Sequence, residues 1–246
     1  LSAKHGVSLV EGDHNAPRGL AAFKQFVEVP KNFFQRAPIA EAAGKVTSIS
    51  KAPQGGLDLE IAGVKHYVPP GRELKVKKGQ RVEAGDVISS GVVAPDDVVR
   101  HKGLGAGREY LVKSLRDVYR DSGKDLDPRH FELLARSQLN YVKVQAGVPG
   151  YLPGDVVSVP NVRKAFKGLG RQYSVRDSLG KVITEPVGMH LPGTKVTPGV
   201  LASLKKDGVS SVKAMAGAVK LNPIMVAATR TPLLNPNWMQ RLGYRY

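Results

Sequence analysis

The stretch that most constrains this chain is residues 103–144, which carries the clearest periodicity in the sequence. Leu111, Leu115 and Val118 fall at i, i+4 and i+7, one stripe of a 3.6-residue period, while Lys113, Arg116, Asp117 and Arg120 occupy other faces. Gly123 is placed to end that helix. Asp127 then stands where an N-cap belongs and Pro128 where a first helical residue is tolerated. Phe131, Leu134, Ala135 and Leu139 repeat the apolar stripe. The spacing predicts a helical hairpin with one buried face. Gly103, Gly105 and Gly107 precede it, offering either flexibility at the helix start or backbone amides to a phosphate.

Around the hairpin the period changes from 3.6 to two. Lys45–Ile49, Leu57–Ile61 and Lys65–Val68 read as short strands, joined by the turn signals Pro53-Gln54-Gly55-Gly56, Ala62-Gly63 and Pro69-Pro70-Gly71. Residues 74–89 add two more strands around Gly79 and Gly85. Strand grammar returns at Tyr151–Val159 and from Lys181 to Lys220, where Pro192-Gly193 echoes Pro70-Gly71. Short strands at this spacing suggest a small barrel or sandwich. Before them, Leu20, Phe23, Phe26 and Val27 mark a short helix stopped ahead of Pro30. The C-terminal stretch breaks at Pro232 and Pro236 and is expected to finish in a short helix capped by Asn237. Trp238 reads there as a core or interface anchor.

Charge decides which partners to expect. The formal net charge is +16, and the basic residues lie in short pairs spread along the chain rather than in a tail. That pattern favours basic faces on a folded body and a polyanionic partner, nucleic acid first. Aromatic residues make up only 6% and do not interleave with the basic ones, so contact with backbone phosphates is the expected mode. Lys4, Arg18, Arg163, Lys164, Lys167, Arg171 and Arg230 are the candidate contacts. The run Arg163–Tyr173 is basic and holds two glycines, a linker or a phosphate-facing loop.

The chain has no cysteine, which excludes disulfides and thiolate metal sites. No apolar run of about 18 residues is present to span a bilayer. The six histidines show no metal-ligand spacing, and no phosphate-binding or nucleophile motif occurs. Asp86 fits a turn after Gly85, and Asp96-Asp97 a helix start after Pro95. Leu1 in place of methionine points to a processed product or a part of a longer polypeptide.

The wording itself goes further. Val82-Glu83-Ala84-Gly85-Asp86-Val87-Ile88, Ala94-Pro95-Asp96-Asp97-Val98-Val99, Tyr110-Leu111-Val112, Asp117-Val118-Tyr119-Arg120, Gly123, His130-Phe131-Glu132 and Leu152-Pro153-Gly154 follow one another in an order and spacing that resemble the C-terminal part of the β′ subunit of multisubunit RNA polymerases. More weakly, Pro38-Ile39-Ala40-Glu41 resembles the segment after that family's trigger loop. Pro223-Ile224-Met225 with Thr229, Leu233 and Leu234 resembles the segment near its switch 1. The phrasing of residues 25–41 and 66–86 is closest to a phage-encoded relative.

The resemblance implies an α+β fold: a β-rich, sandwich-barrel hybrid-like module in two halves, with an inserted helical hairpin and short terminal helices. Its implied divisions are a trigger-loop-like segment and short helix at 1–36, a first β half at 37–96, the hairpin at 97–144, a second β half at 145–221 and a switch-like segment at 222–246. It implies that His5 faces the incoming nucleotide's phosphates as a trigger-loop-like catalytic residue. It also implies that no cofactor is held here, since the aspartates that bind catalytic magnesium belong to a phrase this chain lacks. The chain alone would then not polymerise RNA. The implied partners are the catalytic β′ portion, a β-like chain, DNA and RNA, with no membrane, in a host cytoplasm. The alternative is a β′-derived structural or ejected protein, located in a phage virion among other virion proteins. Residues 75–89 also resemble a lipoyl or biotinyl carrier barrel, but the phrase bearing that family's modified lysine is missing.

Overall fold

The computed structural model describes residues 19–188 and 190–234. They form two compact units: one takes in residues 19–139 and 225–234, the other residues 140–224.

In the first unit, β1 (Gly44–Lys51), β2 (Leu57–Ile61), β3 (Val64–Val68) and β4 (Arg81–Val82) make an antiparallel sheet in the order β3-β2-β1-β4. Alternation turns Val46, Leu59, Ile61, Val68 and Val82 onto one face, where they bury with Ala40, Val76 and Ile88. Ala62 and Gly63 connect β2 to β3 with φ of 50° and 82°. A two-residue hairpin of the right twist needs positive φ at both central positions. The ladders expected around Gly79 and Gly85 are shorter than the alternation suggests. Beyond β4 they consist of single bridges, Ile39 with Val87 and Leu74 with Ser89. Both glycines turn the chain at φ of 84° and 88°, leaving few residues between turns.

Three helices complete this unit: α1 (Gly19–Val27), α2 (Pro95–Asp121) and α3 (Pro128–Gln138). Helix α2 starts at Pro95, earlier than the glycine-rich stretch suggests. Gly103 breaks it at φ 85°, ψ 176°. The two pieces cross where a Cβ on Gly107 would lie 2.3 Å from Val99 Cγ2. Gly107→Ala therefore gains helix propensity but overpacks the crossing, and a net loss of about 1–2 kcal/mol is expected in denaturant titration.

The hairpin stripe behaves as expected: Leu111, Leu115, Val118, Phe131, Ala135 and Leu139 are buried, with Leu134 half-buried. Leu20 of the α1 stripe is instead exposed. Asp127 caps α3 by accepting the Arg129 amide at 2.9 Å. At the other end Arg108 donates from Nε and Nη2 to the Leu139 carbonyl at 3.0 and 2.7 Å, satisfying an acceptor the helix leaves open. Phe23 meets Tyr119 edge to face and Tyr119 lies tilted against Phe131, with centroids 5.6 and 5.4 Å apart. The buried Gln138 donates from Nε2 to the Val27 carbonyl at 2.5 Å and the Val226 carbonyl at 3.1 Å.

The second unit holds β5 (Tyr141–Ala146), β6 (Val156–Ser158), α4 (Val159–Phe166), β7 (Arg171–Ser174), β8 (Val182–Ile183), α5 (Pro198–Lys206), β9 (Ser211–Met215) and β10 (Lys220–Ile224). Two three-stranded antiparallel sheets run β10-β5-β6 and β7-β9-β8. Two strand expectations are corrected here. Val159 opens a helix rather than ending a strand, and residues 198–206 are helical within a stretch read as strands. Each helix has proline in its first turn, where a missing N–H costs nothing. Val159, Val162 and Phe166 bury the inner face of α4, and Leu204 packs α5 onto Val175 and Val212. The sandwich-or-barrel expectation thus resolves into a mixed α+β fold with short antiparallel sheets. The expected segments at 1–18 and from Asn237 lie outside the described residues. Thr231–Leu234 is a 3₁₀ turn.

Candidate nucleic-acid interface

The sequence-predicted phosphate contacts divide in a simple way. Lys4, His5 and Arg18 lie outside the described residues. Arg230 is exposed in the first unit, next to the 3₁₀ turn. The remaining four come together in the second unit. Arg163 and Lys164 occupy the last turn of α4, Lys167 is its C-cap, and Arg171 opens β7 after the turns at Gly168 and Gly170. All four are exposed, and none has a side-chain hydrogen bond or ion pair among the described residues. The run is therefore a helix end and a strand start, not a linker.

Cations in the last helical turn also oppose the negative end of the helix dipole, which adds to α4 stability on its own account. That role leaves the charges free to meet an anion as well. The surroundings favour it: residues 140–224 hold 12 Lys and Arg against 4 Asp and Glu. The nearby Tyr173 is no stacking platform, because Lys181 Nζ sits 4.3 Å from its ring centroid.

Asp86, Asp96 and Asp97 of the first unit are each engaged. Asp97 is 2% exposed and accepts Arg36 through both carboxylate oxygens, from Nε at 2.7 Å and from Nη2. That hydrogen bond raises the Arg36 guanidinium above its ordinary value. Asp96 pairs with Arg100 at 2.6 Å. Asp86 accepts the Glu83 amide at 2.9 Å and Lys102 Nζ at 3.3 Å, and the Glu83 amide foremost holds its carboxyl below the usual range. These residues make a turn and a helix start, as their spacing predicts. Tyr110 donates to the Val93 carbonyl at 2.8 Å, and burial pushes its phenol up. His66 is buried, accepting the Glu41 amide at Nε2 and bonding the Val64 carbonyl through Nδ1, so it serves packing. No group of three or more His, Asp or Glu able to hold a metal ion occurs among the described residues. None of the described helices is long and apolar enough to cross a membrane.

These features define a mixed α+β scaffold whose exposed chemistry is basic surface. Comparison with known proteins makes the class specific: residues 36–147 match the family model of RNA polymerase Rpb1, domain 5. The chain is 37% identical over 130 residues, 50% of its length, to a DNA-directed RNA polymerase subunit β′ of Desulforudis audaxviator, and covers 11% of that protein. It is 37% identical over 154 residues, 60% of its length, to the β′ subunit of Moorella thermoacetica, and covers 13% of it. Residues 36–147 thus match an RNA polymerase Rpb1-type domain, and the chain resembles the C-terminal part of a β′ subunit, spanning about an eighth or less of the curated relatives it matches.

Proposed function

We propose that this chain works as a structural part of a phage-encoded, DNA-directed RNA polymerase β′ subunit. In this reading it lines a DNA cleft and supports the trigger-loop side, and its strands form part of a sandwich-barrel hybrid module. Its partners are the catalytic β′ portion, a β-like chain, and DNA and RNA. In this reading the magnesium of the complete enzyme belongs to another segment, because the aspartate phrase that would hold it is not in this sequence. The observation that carries the reading is the β′-type match over residues 36–147, joined by a set of unpaired exposed cations at Arg163, Lys164, Lys167 and Arg171.

Phosphate contacts predict a salt-dependent, sequence-indifferent affinity. The full chain should bind duplex DNA with log K falling linearly in log salt. Reversing Arg163, Lys164, Lys167 and Arg171 to glutamate should weaken binding at least about tenfold and flatten that slope by up to about 3–4. An unchanged slope would remove this face from the interface. Quantitative mass spectrometry of the native source addresses the assembly. Equal copy numbers of this chain, an aspartate-bearing β′ portion and a β-like chain support a polymerase. Many symmetric copies without those partners would make it a structural virion component instead.

A further inference from the structure

Between α2 and α3 runs an open groove of about 630 Å³. Val112, Pro128 and Ala135 give it an apolar floor, while Lys113, Arg116 and Arg120 form one bank. Among the described residues the Lys113 and Arg120 side chains have no partner. Arg116 reaches Asp125 only at 3.6 Å, and its Nε is buried without a hydrogen bond. On the other bank Arg136 and Glu132 stand 3.9 Å apart. An unpaired buried donor beside a solvent-open apolar trough is unfavourable in an isolated molecule.

We propose that this groove seats an acidic, amphipathic helix of a partner protein. The bank from Arg108 to Arg120 spans 12 residue steps of α2, about 18 Å, which matches roughly three turns of a docked helix. Apolar residues on one face of that helix would cover Val112, Pro128 and Ala135, and flanking carboxylates would meet Lys113, Arg116 and Arg120. Nucleic acid fits less well, because the apolar floor of Val112, Pro128 and Ala135 matches apolar side chains of a helix and offers a phosphate backbone no donor. A second copy of this chain is disfavoured by its +16 charge. The inference does not depend on the polymerase reading, since neither DNA binding at Arg163–Arg171 nor assembly stoichiometry enters it.

The test uses the full chain and a labelled synthetic peptide of about 18 residues with leucines at helical spacing flanked by glutamates. Fluorescence anisotropy should show saturable binding, accompanied by helix formation in the peptide. Lys113→Glu with Arg120→Glu should weaken it at least about tenfold. A peptide with lysine in place of each glutamate should bind that double variant better than it binds the parent chain, which also reports that the variant is folded. Absence of binding, equal binding of both peptides by the parent chain, indifference to the double variant, or displacement of the peptide by duplex DNA from this groove would each overturn the proposal.

Discussion

Replacing Leu115 with aspartate is expected to leave the first unit without a cooperative unfolding transition. Leu115 is fully buried on α2, in the stripe that faces α1 and α3. Truncation to alanine alone should cost about 2–5 kcal/mol, from lost transfer energy and the residual cavity. Aspartate adds a carboxylate at a fully buried position, a further penalty of several kcal/mol. A domain with about 5–15 kcal/mol in hand does not survive both. Hydrogen exchange should show protection lost across α2 and α3, while Leu133→Asp, on the exposed side of α3, should leave it within about 0.5 kcal/mol of the parent. A soluble Leu115→Asp chain with intact protection would show that this stripe is not core.

The second large effect concerns the Arg36–Asp97 pair, and it is asymmetric. Asp97 is almost wholly buried, whereas the Arg36 side chain is 41% exposed. Arg36→Ala strands a buried carboxylate whose next cation, Arg100 Nη1, is 3.9 Å away. The expected loss is about 2–4 kcal/mol, reduced from the fully buried case by that exposure and by Arg100. Asp97→Asn keeps the shape and leaves Arg36 free to hydrate, so it should lose about 1–2 kcal/mol. Urea titration of the two variants orders them. If Asp97→Asn proved the more damaging, the carboxylate would have a role beyond this pair.

What could be read from the chain follows the range of the forces involved. The α2–α3 hairpin was legible because its stripe, the Asp127 cap and the Gly123 stop all act within one or two turns. The β2–β3 hairpin was legible for the same reason, through Ala62-Gly63. Helices α4 and α5 were not, because eight and nine residues give a stripe barely longer than a strand's, and Pro160 and Pro198 read as breaks before a cap is known. Gln138 occupies a core position of the α3 stripe, yet its amide is intelligible only when Val27 and Val226 arrive, 111 and 88 residues away. Arg36 and Asp97 are separated by 61 residues, and nothing local announces their pairing. The basic positions of the candidate interface were legible as charges; their shared location at the end of α4 and the start of β7 required the fold.

The way residues 140–224 begin and end has a consequence for where the chain tolerates insertion. On one side of the junction Val226 donates its amide to the Gln138 carbonyl at 3.0 Å; on the other Tyr141 pairs with Ile224. The two ends of residues 140–224 are thus held side by side. A flexible insertion within a segment whose ends are already joined adds closure entropy slowly, about 0.6 kcal/mol for each doubling of loop length. The segment shared with Rpb1 domain 5 ends at Gly147, where φ is 75° and a Cβ would lie 2.2 Å from the Ala218 carbonyl oxygen. The family-matched segment thus ends at a position that only glycine can fill.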